Sequence, residues 1–276
     1  MTTATHPLDT ALQLQSTATP GHYQGRTTPD YWNMVGPFGG ITAATLLRAV
    51  LSHPQLLGAP LSLTVNYAAA IGEGDFTVRA EPVRTNRSTQ HWVVTALQRD
   101  ADGQEQVTTT ATVVTALRRE TWSATDQPMP AVPAPAQCAR AETAFRSEWL
   151  RRYEMRLVSG ALPAQWDDSG HTSLTQLWVR DAPERALDFC ALAALADVFY
   201  PRVWLRRARQ VPAGTVSITV YFHAGESDLA ATGTGYLLAQ ARAQELRNGF
   251  FDQSAQLWNE AGQMLATSHQ IVYYKE

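Results

Sequence analysis

Cysteine is nearly missing from this sequence: Cys138 and Cys190 stand far apart, with no Cys-x-x-Cys pair and no neighbouring histidine. That excludes a disulfide scaffold, a zinc finger and a redox dithiol, and leaves two buried, inert thiols as the expectation. Charge of one sign is lacking too. The 22 basic and 25 acidic residues give a net charge of −3, and basic residues cluster only at Arg118-Arg119, Arg151-Arg152 and Arg206-Arg207. Nothing here forms a nucleic-acid footprint, so no nucleic-acid partner is expected. No apolar run is long enough to span a bilayer, and residues 1–10 lack the basic start and apolar stretch of a secretory signal. No membrane partner and a cytoplasmic location are therefore expected. The seven histidines show no metal spacing, no Gly-x-Ser-x-Gly elbow occurs, and Gly233-Thr234-Gly235 is a lone Gly-x-Gly. These absences argue against a metal centre, a serine-nucleophile hydrolase and a dinucleotide fold, and neither a metal nor a cofactor is expected.

What is present suits a globular enzyme or binding protein: 45 % of residues are hydrophobic and 17 % charged, and 276 residues are enough for two ordinary domains. Between 121 and 141, Pro128, Pro130, Pro133 and Pro135 alternate with Ala, Met and Val. Such a run holds neither a helix nor a central strand. The chain is accordingly divided into a first domain over 1–122, an extended linker over 123–142 and a second domain over 143–276.

Each half repeats one pattern, an apolar helix followed by strand-like segments, which suggests an internal duplication. The first half predicts a helix over 38–53 and strands over 61–68, 76–83, 89–99 and 105–117. The second predicts a helix over 185–200, stopped by Pro201, and strands over 215–222, 229–239, 240–246, 250–258 and 264–274. Leu63 and Ile218 begin matching segments 155 positions apart, and Gly103 and Gly262 sit in matching turns 159 apart.

One helix followed by consecutive antiparallel strands is an α+β pattern, and a sheet curled round the helix would bury it. The second helix demands burial, because Asp197 alone interrupts an apolar run over 189–199. An ionised carboxylate there must be partnered, protonated or beside a wet cleft. The bland alternative is a helix that frays after Ala196 and lets Asp197 reach solvent.

At these residues the chain resembles the double-hotdog acyl-CoA thioesterases typified by bacterial acyl-CoA thioesterase II. Gly36-Pro37-Phe38-Gly39-Gly40, after Tyr23-Gln24-Gly25-Arg26, is similar to that family's approach to its first central helix. Leu195-Ala196-Asp197 is similar to the segment bearing its catalytic aspartate. Thr215 opens a strand like the one that starts with the family's catalytic threonine, and Gln270, in Leu265-Ala266-Thr267-Ser268-His269-Gln270, falls on its glutamine. The resemblance implies a double hotdog, two antiparallel sheets each wrapped round a central helix and fused in one chain. It also implies hydrolysis of acyl-CoA, within fatty acid metabolism, at one site built from Asp197, Thr215 and Gln270. Leu46 falls near the Asp197 position in the first half and Ala111 near that of Gln270, so a second site is not expected there.

In this reading Asp197 orients or deprotonates a water that Thr215 and Gln270 hold in register. Backbone N–H groups at Gly36, Gly39 and Gly40 are candidates for holding the substrate oxyanion, although the same glycines also serve a tight turn. On the residues alone, Thr215 and Gln270 read as ordinary strand positions. A non-catalytic acyl-CoA or acyl-group binding module is the alternative function. A hotdog dehydratase would need a histidine near a helix start, and none is found. The fused halves already supply a two-hotdog unit, which leaves a monomer open, while exposed sheet edges point to a homodimer or larger assembly.

Overall fold

The computed structural model of the protein describes residues 5–142 and 147–276. The first residues of the opening segment, 1–4, and the start set for the second domain, 143, lie outside the described residues. In the first half, α1 (Pro7–Ala11), β1 (Gln15–Ser16) and β2 (His22–Arg26) precede α2 (Gly39–Leu51) and the strands β3 (Ala59–Tyr67), β4 (Asp75–Thr85), β5 (Thr89–Arg99) and β6 (Glu105–Ala116). The second half opens with β7 (Ala139–Arg140), β8 (Tyr153–Ser159) and β9 (Thr175–Asp181), followed by α3 (Phe189–Leu195) and α4 (Arg202–Arg207). It closes with β10 (Ala213–Phe222), α5 (Glu226–Thr232), β11 (Leu237–Arg242), β12 (Leu246–Arg247), β13 (Phe250–Asn259) and β14 (Met264–Tyr274).

The α+β, antiparallel character is as expected, but the strands form one continuous path where two sheets were anticipated. Its order is β1-β2-β4-β5-β6-β3-β10-β14-β13-β11-β9-β8-β7, with β12 paired to β13 off this path. The halves join where β3 and β10 pair edge to edge, Thr64 lying opposite Thr219. Each strand satisfies backbone groups that the other would leave bare at a sheet edge. The Thr64 and Thr219 hydroxyls are 3.0 Å apart across the seam. These two residues are 155 positions apart and are each other's counterparts, so the seam is an internal two-fold axis. The turns at Gly103 and Gly262 agree: both glycines have positive φ, and their N–H groups donate to the carbonyls of Asp100 and Asn259.

The helix α2 is buried along most of its length against α3, β4 and β5. In the second half, 185–200 is not one helix. Asp188 stops it early at the front by accepting the Ala191 N–H at 2.8 Å as an N-cap, while Arg185 is held outside by Asp9 and Asp188. At the back, Pro201 disfavours helical geometry in the residue before it, and α3 has already ended at its C-cap Ala196. Every residue of α3 is buried.

Two strands anticipated over 229–246 are replaced by α5 and β11. Acidic Glu226 and Asp228 suit the N-terminus of α5, and the Asp228 carboxylate accepts the Gly225 N–H at 2.7 Å. Gly233-Thr234-Gly235 is the turn between them, not part of a strand. The proline-rich segment is extended but not loose. Met129 and Val132 pack on Trp178, Tyr236 and Trp258, and the Trp178 indole donates to the Pro133 carbonyl at 2.9 Å. Both cysteines are free and buried. Among the described residues, no helix is long and apolar enough to cross a membrane, and no group of three or more His, Cys, Asp or Glu is placed to hold a metal ion.

Loss of the α3 cap in Asp188→Ala is expected to lower unfolding stability by about 1 kcal/mol, read from the midpoint of urea denaturation at constant m-value. An unchanged midpoint would show that the cap does not fix where α3 begins.

Candidate active site

The early end of α3 positions Asp197. The chain turns at Ala196, where the Asp197 N–H donates to the Ala194 carbonyl at 3.1 Å. Strand β14 then holds the turn with two side chains on one face. Ser268 Oγ donates to the Ala196 carbonyl at 3.0 Å, and Gln270 Nε2 donates to Asp197 Oδ1 at 3.1 Å. On β10, the Thr215 hydroxyl donates to Gln270 Oε1 at 3.0 Å. Three residues spread over the second half thus form one hydrogen-bonded chain, Thr215 to Gln270 to Asp197. Asp197 is 8 % exposed and Gln270 5 % exposed, so the carboxylate does not reach bulk solvent as the frayed-helix alternative required.

The first half supplies the remaining support. The backbone N–H of Gly40, in the first turn of α2, lies close enough to the Asp197 carboxylate to favour its charged form. A Cβ on Gly39 would lie 2.7 Å from Asp197 Oδ2, and one on Gly40 would lie 2.6 Å from the Ala194 carbonyl. Only glycine lets the start of α2 come this close, with its positive helix end against the acid. Tyr67 fixes the approach by donating its hydroxyl to the Gly39 carbonyl at 2.8 Å. Burial, with the charge of Asp197 added, holds the Tyr67 phenol well above its ordinary pKa. Gly36 lines the same cavity from the turn before Pro37.

Burial pushes the Asp197 carboxyl up to about 7, against the lowering by the Gln270 and Gly40 donors. Two neutral N–H donors do not offset the loss of water around the anion. The acid faces a cavity of about 870 Å³ whose lining includes Thr215, Gln270 and Gly39. Among the described residues, no lysine or arginine lines that cavity. Its aromatic wall includes Phe38 stacked on Trp149 at 4.1 Å between ring centres. A group of this kind, half ionised near neutrality beside an aqueous space, can take a proton from water and return it.

The two-fold axis shows what the first half holds instead. Ile218 pairs with Gln270 as Leu63 pairs with Val113, and Thr215 pairs with Val272 as Pro60 pairs with Thr115. The counterpart of Gln270 is therefore Val113, two residues beyond the anticipated Ala111, and that of Thr215 is Pro60. Neither Val113 nor Pro60 has a side-chain hydrogen-bonding group. The sequence reading missed Ser268, Tyr67 and the effect of the Gly40 N–H on Asp197. Ser268 and Gln270 were in principle traceable, as polar residues alternating on the inward face of a strand.

The sign of the pH effect on stability follows from the raised carboxyl. The folded state keeps the Asp197 proton up to about pH 7, whereas the unfolded chain releases it near the ordinary value of 3.8. The contribution is fully present below about pH 4 and is lost as pH rises through about 7. The difference amounts to about 4 kcal/mol, in order of magnitude. Asp181, also pushed up to about 7 by burial, acts in the same direction in the wild type. Asp197→Asn is therefore expected to gain stability relative to the wild type between pH 4 and pH 8, on top of a constant offset for the altered hydrogen bonds. Parallel stability curves for the two proteins would contradict the assignment.

Comparison with known proteins places this geometry among relatives. A family model of the acyl-CoA thioesterase N-terminal domain matches residues 28–116, and one of the acyl-CoA thioesterase C-terminal domain matches residues 123–274. A hot dog fold protein of unknown function from Alicyclobacillus acidocaldarius is 46 % identical, with a TM-score of 0.92 over 99 % of both chains. The acyl-CoA thioesterase II TesB2 from Mycobacterium marinum is similar in fold at 17 % identity, with a TM-score of 0.76 over 97 % of this chain and 98 % of that one. The dehydratase domain of RzxB from Pseudomonas fluorescens is more distant, at 13 % identity and a TM-score of 0.57 over 98 % of this chain and 99 % of that one. No curated protein matches the sequence.

Proposed function

This chain belongs to the acyl-CoA thioesterase family, and on that footing we propose that it hydrolyses acyl-CoA thioesters to a free fatty acid and CoA through Asp197, Thr215 and Gln270. The observation that carries the reading is the hydrogen-bonded chain from Thr215 through Gln270 to a buried carboxylate on a cavity wall. Thr215 spends its proton on Gln270 Oε1, which turns the amide N–H₂ toward Asp197 and leaves the hydroxyl lone pairs to accept from water. The Asp197 carboxylate accepts the other water proton. As the water oxygen bonds to the thioester carbon, Asp197 takes that proton, and it returns the proton to the sulfur when the C–S bond breaks. No covalent enzyme intermediate is needed.

The oxyanion calls for N–H donors at the start of α2, where the helix dipole favours negative charge. This role falls to the Gly36, Gly39 and Gly40 amides, with the Gly40 N–H also favouring the charged form of Asp197. The proposal keeps the division into a first hotdog unit over 1–122, a linker over 123–142 and a second unit over 143–276, each unit's part of the continuous sheet wrapping its own helix. It includes a cytoplasmic setting and fatty acid metabolism, where acyl-CoA occurs, and further pairing into a homodimer or larger assembly.

Purified protein incubated with acyl-CoAs of graded chain length is expected to release free thiol, and Asp197→Asn to lower kcat by about 10²–10⁴-fold with the fold retained. Because the base must be ionised, kcat/KM is expected to rise with pH through about 7 and then level off. No thiol release at any chain length would favour an acyl-group binding module, and a flat profile from pH 5 to 9 would remove Asp197 as the base.

A further inference from the structure

Next to Gln270 in the sheet stands a second inward-pointing glutamine to which the mechanism above gives no task. Gln253, on β13, pairs directly with Gln270 on β14. Inward residues alternate along β13 as Phe251, Gln253 and Ala255. Gln253 is 3 % exposed, lines the same cavity as Asp197 and Gln270, and its amide has no hydrogen-bond partner among the described residues. Its polar atoms are not sealed in the core but keep access to the cavity. Packing alone would favour an apolar side chain, and the two-fold axis shows one. Gln253 opposes Gln270 as Trp92 opposes Val113, so its first-half counterpart is Trp92, 1 % exposed, with its indole satisfied by Thr115 Oγ1 at 3.2 Å. The halves thus differ at three matched positions facing one place: Pro60 against Thr215, Val113 against Gln270, and Trp92 against Gln253. Two of the three polar members already belong to the hydrogen-bonded chain.

We infer that Gln253 is a further catalytic residue, whose amide N–H₂ donates to the thioester carbonyl oxygen of the substrate. Directly paired strand residues have Cβ atoms about 4.5–5.5 Å apart, so the Gln253 amide reaches the space beside the Gln270–Asp197 contact. Gln270 cannot take this role, because its oxygen accepts from Thr215 and its nitrogen donates to Asp197. As the water oxygen bonds to the carbonyl carbon, the π pair of the C=O moves onto its oxygen, where the Gln253 amide holds it. The pair returns as the C–S bond breaks and the thiolate leaves with the proton from Asp197. The inference rests on the thioesterase reading and adds a side-chain donor to the backbone donors at the start of α2.

The test is Gln253→Met, which keeps length and volume and removes the donor, assayed beside the wild type and Asp197→Asn with one acyl-CoA by thiol release. The expected result is a fall in kcat of about 10²-fold with KM within about threefold of wild type, since the donor acts on charge that develops in the transition state. The thermal midpoint is expected to be unchanged or raised, because the variant removes no hydrogen bond of the folded protein. A merely structural glutamine would give the reverse, a lowered midpoint with kcat near wild type. A kcat within about threefold of wild type, with Asp197→Asn inactive, overturns this inference and leaves the reading of the site intact. No thiol release by the wild type overturns both.

Discussion

A single buried carboxylate constrains the rest of this molecule. Keeping the Asp197 anion out of bulk water requires polar support, and it comes from three directions: β14 through Gln270, β10 through Thr215 behind it, and the start of α2 through the nearby Gly40 N–H. The last of these belongs to the other half of the chain. The halves therefore cannot separate without stripping the acid of part of its solvation, and the continuous sheet across β3 and β10 holds them in register. The glycines at 39 and 40 follow from the same constraint, because any Cβ there would collide with the carboxylate or with the Ala194 carbonyl.

The duplication explains why there is one such site and not two. Both halves have a buried helix start, an inward-facing strand pair and a bulge at the same place in the strand beside the seam, between Pro60 and Ser62 in one half and between Thr215 and Ser217 in the other. In the first half the matched positions are filled for packing, by Pro60, Val113 and Trp92. In the second half they carry a hydroxyl and two amides. The first half thus acts as a scaffold whose helix entrance completes a site it does not itself bear. The partly offset burial of Asp197 costs stability, as buried charged groups do at functional sites.

Much of this architecture was legible in the sequence. The strands over 89–99 and 264–274 coincide with β5 and β14, the helix over 38–53 contains α2, and matched turns at Gly103 and Gly262 revealed the repeat. Asp197 stood out because a lone acid in an apolar run needs a physical reason. The errors have local causes. Helical composition over 185–200 hid an N-cap at Asp188, and apolar residues after Leu229 read as strand although the acids before them favour a helix start. The strands β8 and β9 were overlooked, even though Tyr153, Glu154, Met155 and Arg156 alternate inward and outward. Gln253 was passed over because one glutamine in a polar-looking strand carries no signal until its register with Gln270 is known. Pairing across strands is a tertiary fact that periodicity alone does not supply.

The account turns on the ionisation of one side chain, and a carboxyl ¹³C NMR titration of the aspartates reads it directly. The signal assigned by its disappearance in Asp197→Asn is expected to titrate at about pH 7, far above the exposed aspartates. A midpoint near 4 for that signal would mean that the carboxylate is solvated as well in the folded protein as in water, and the site described here would not exist.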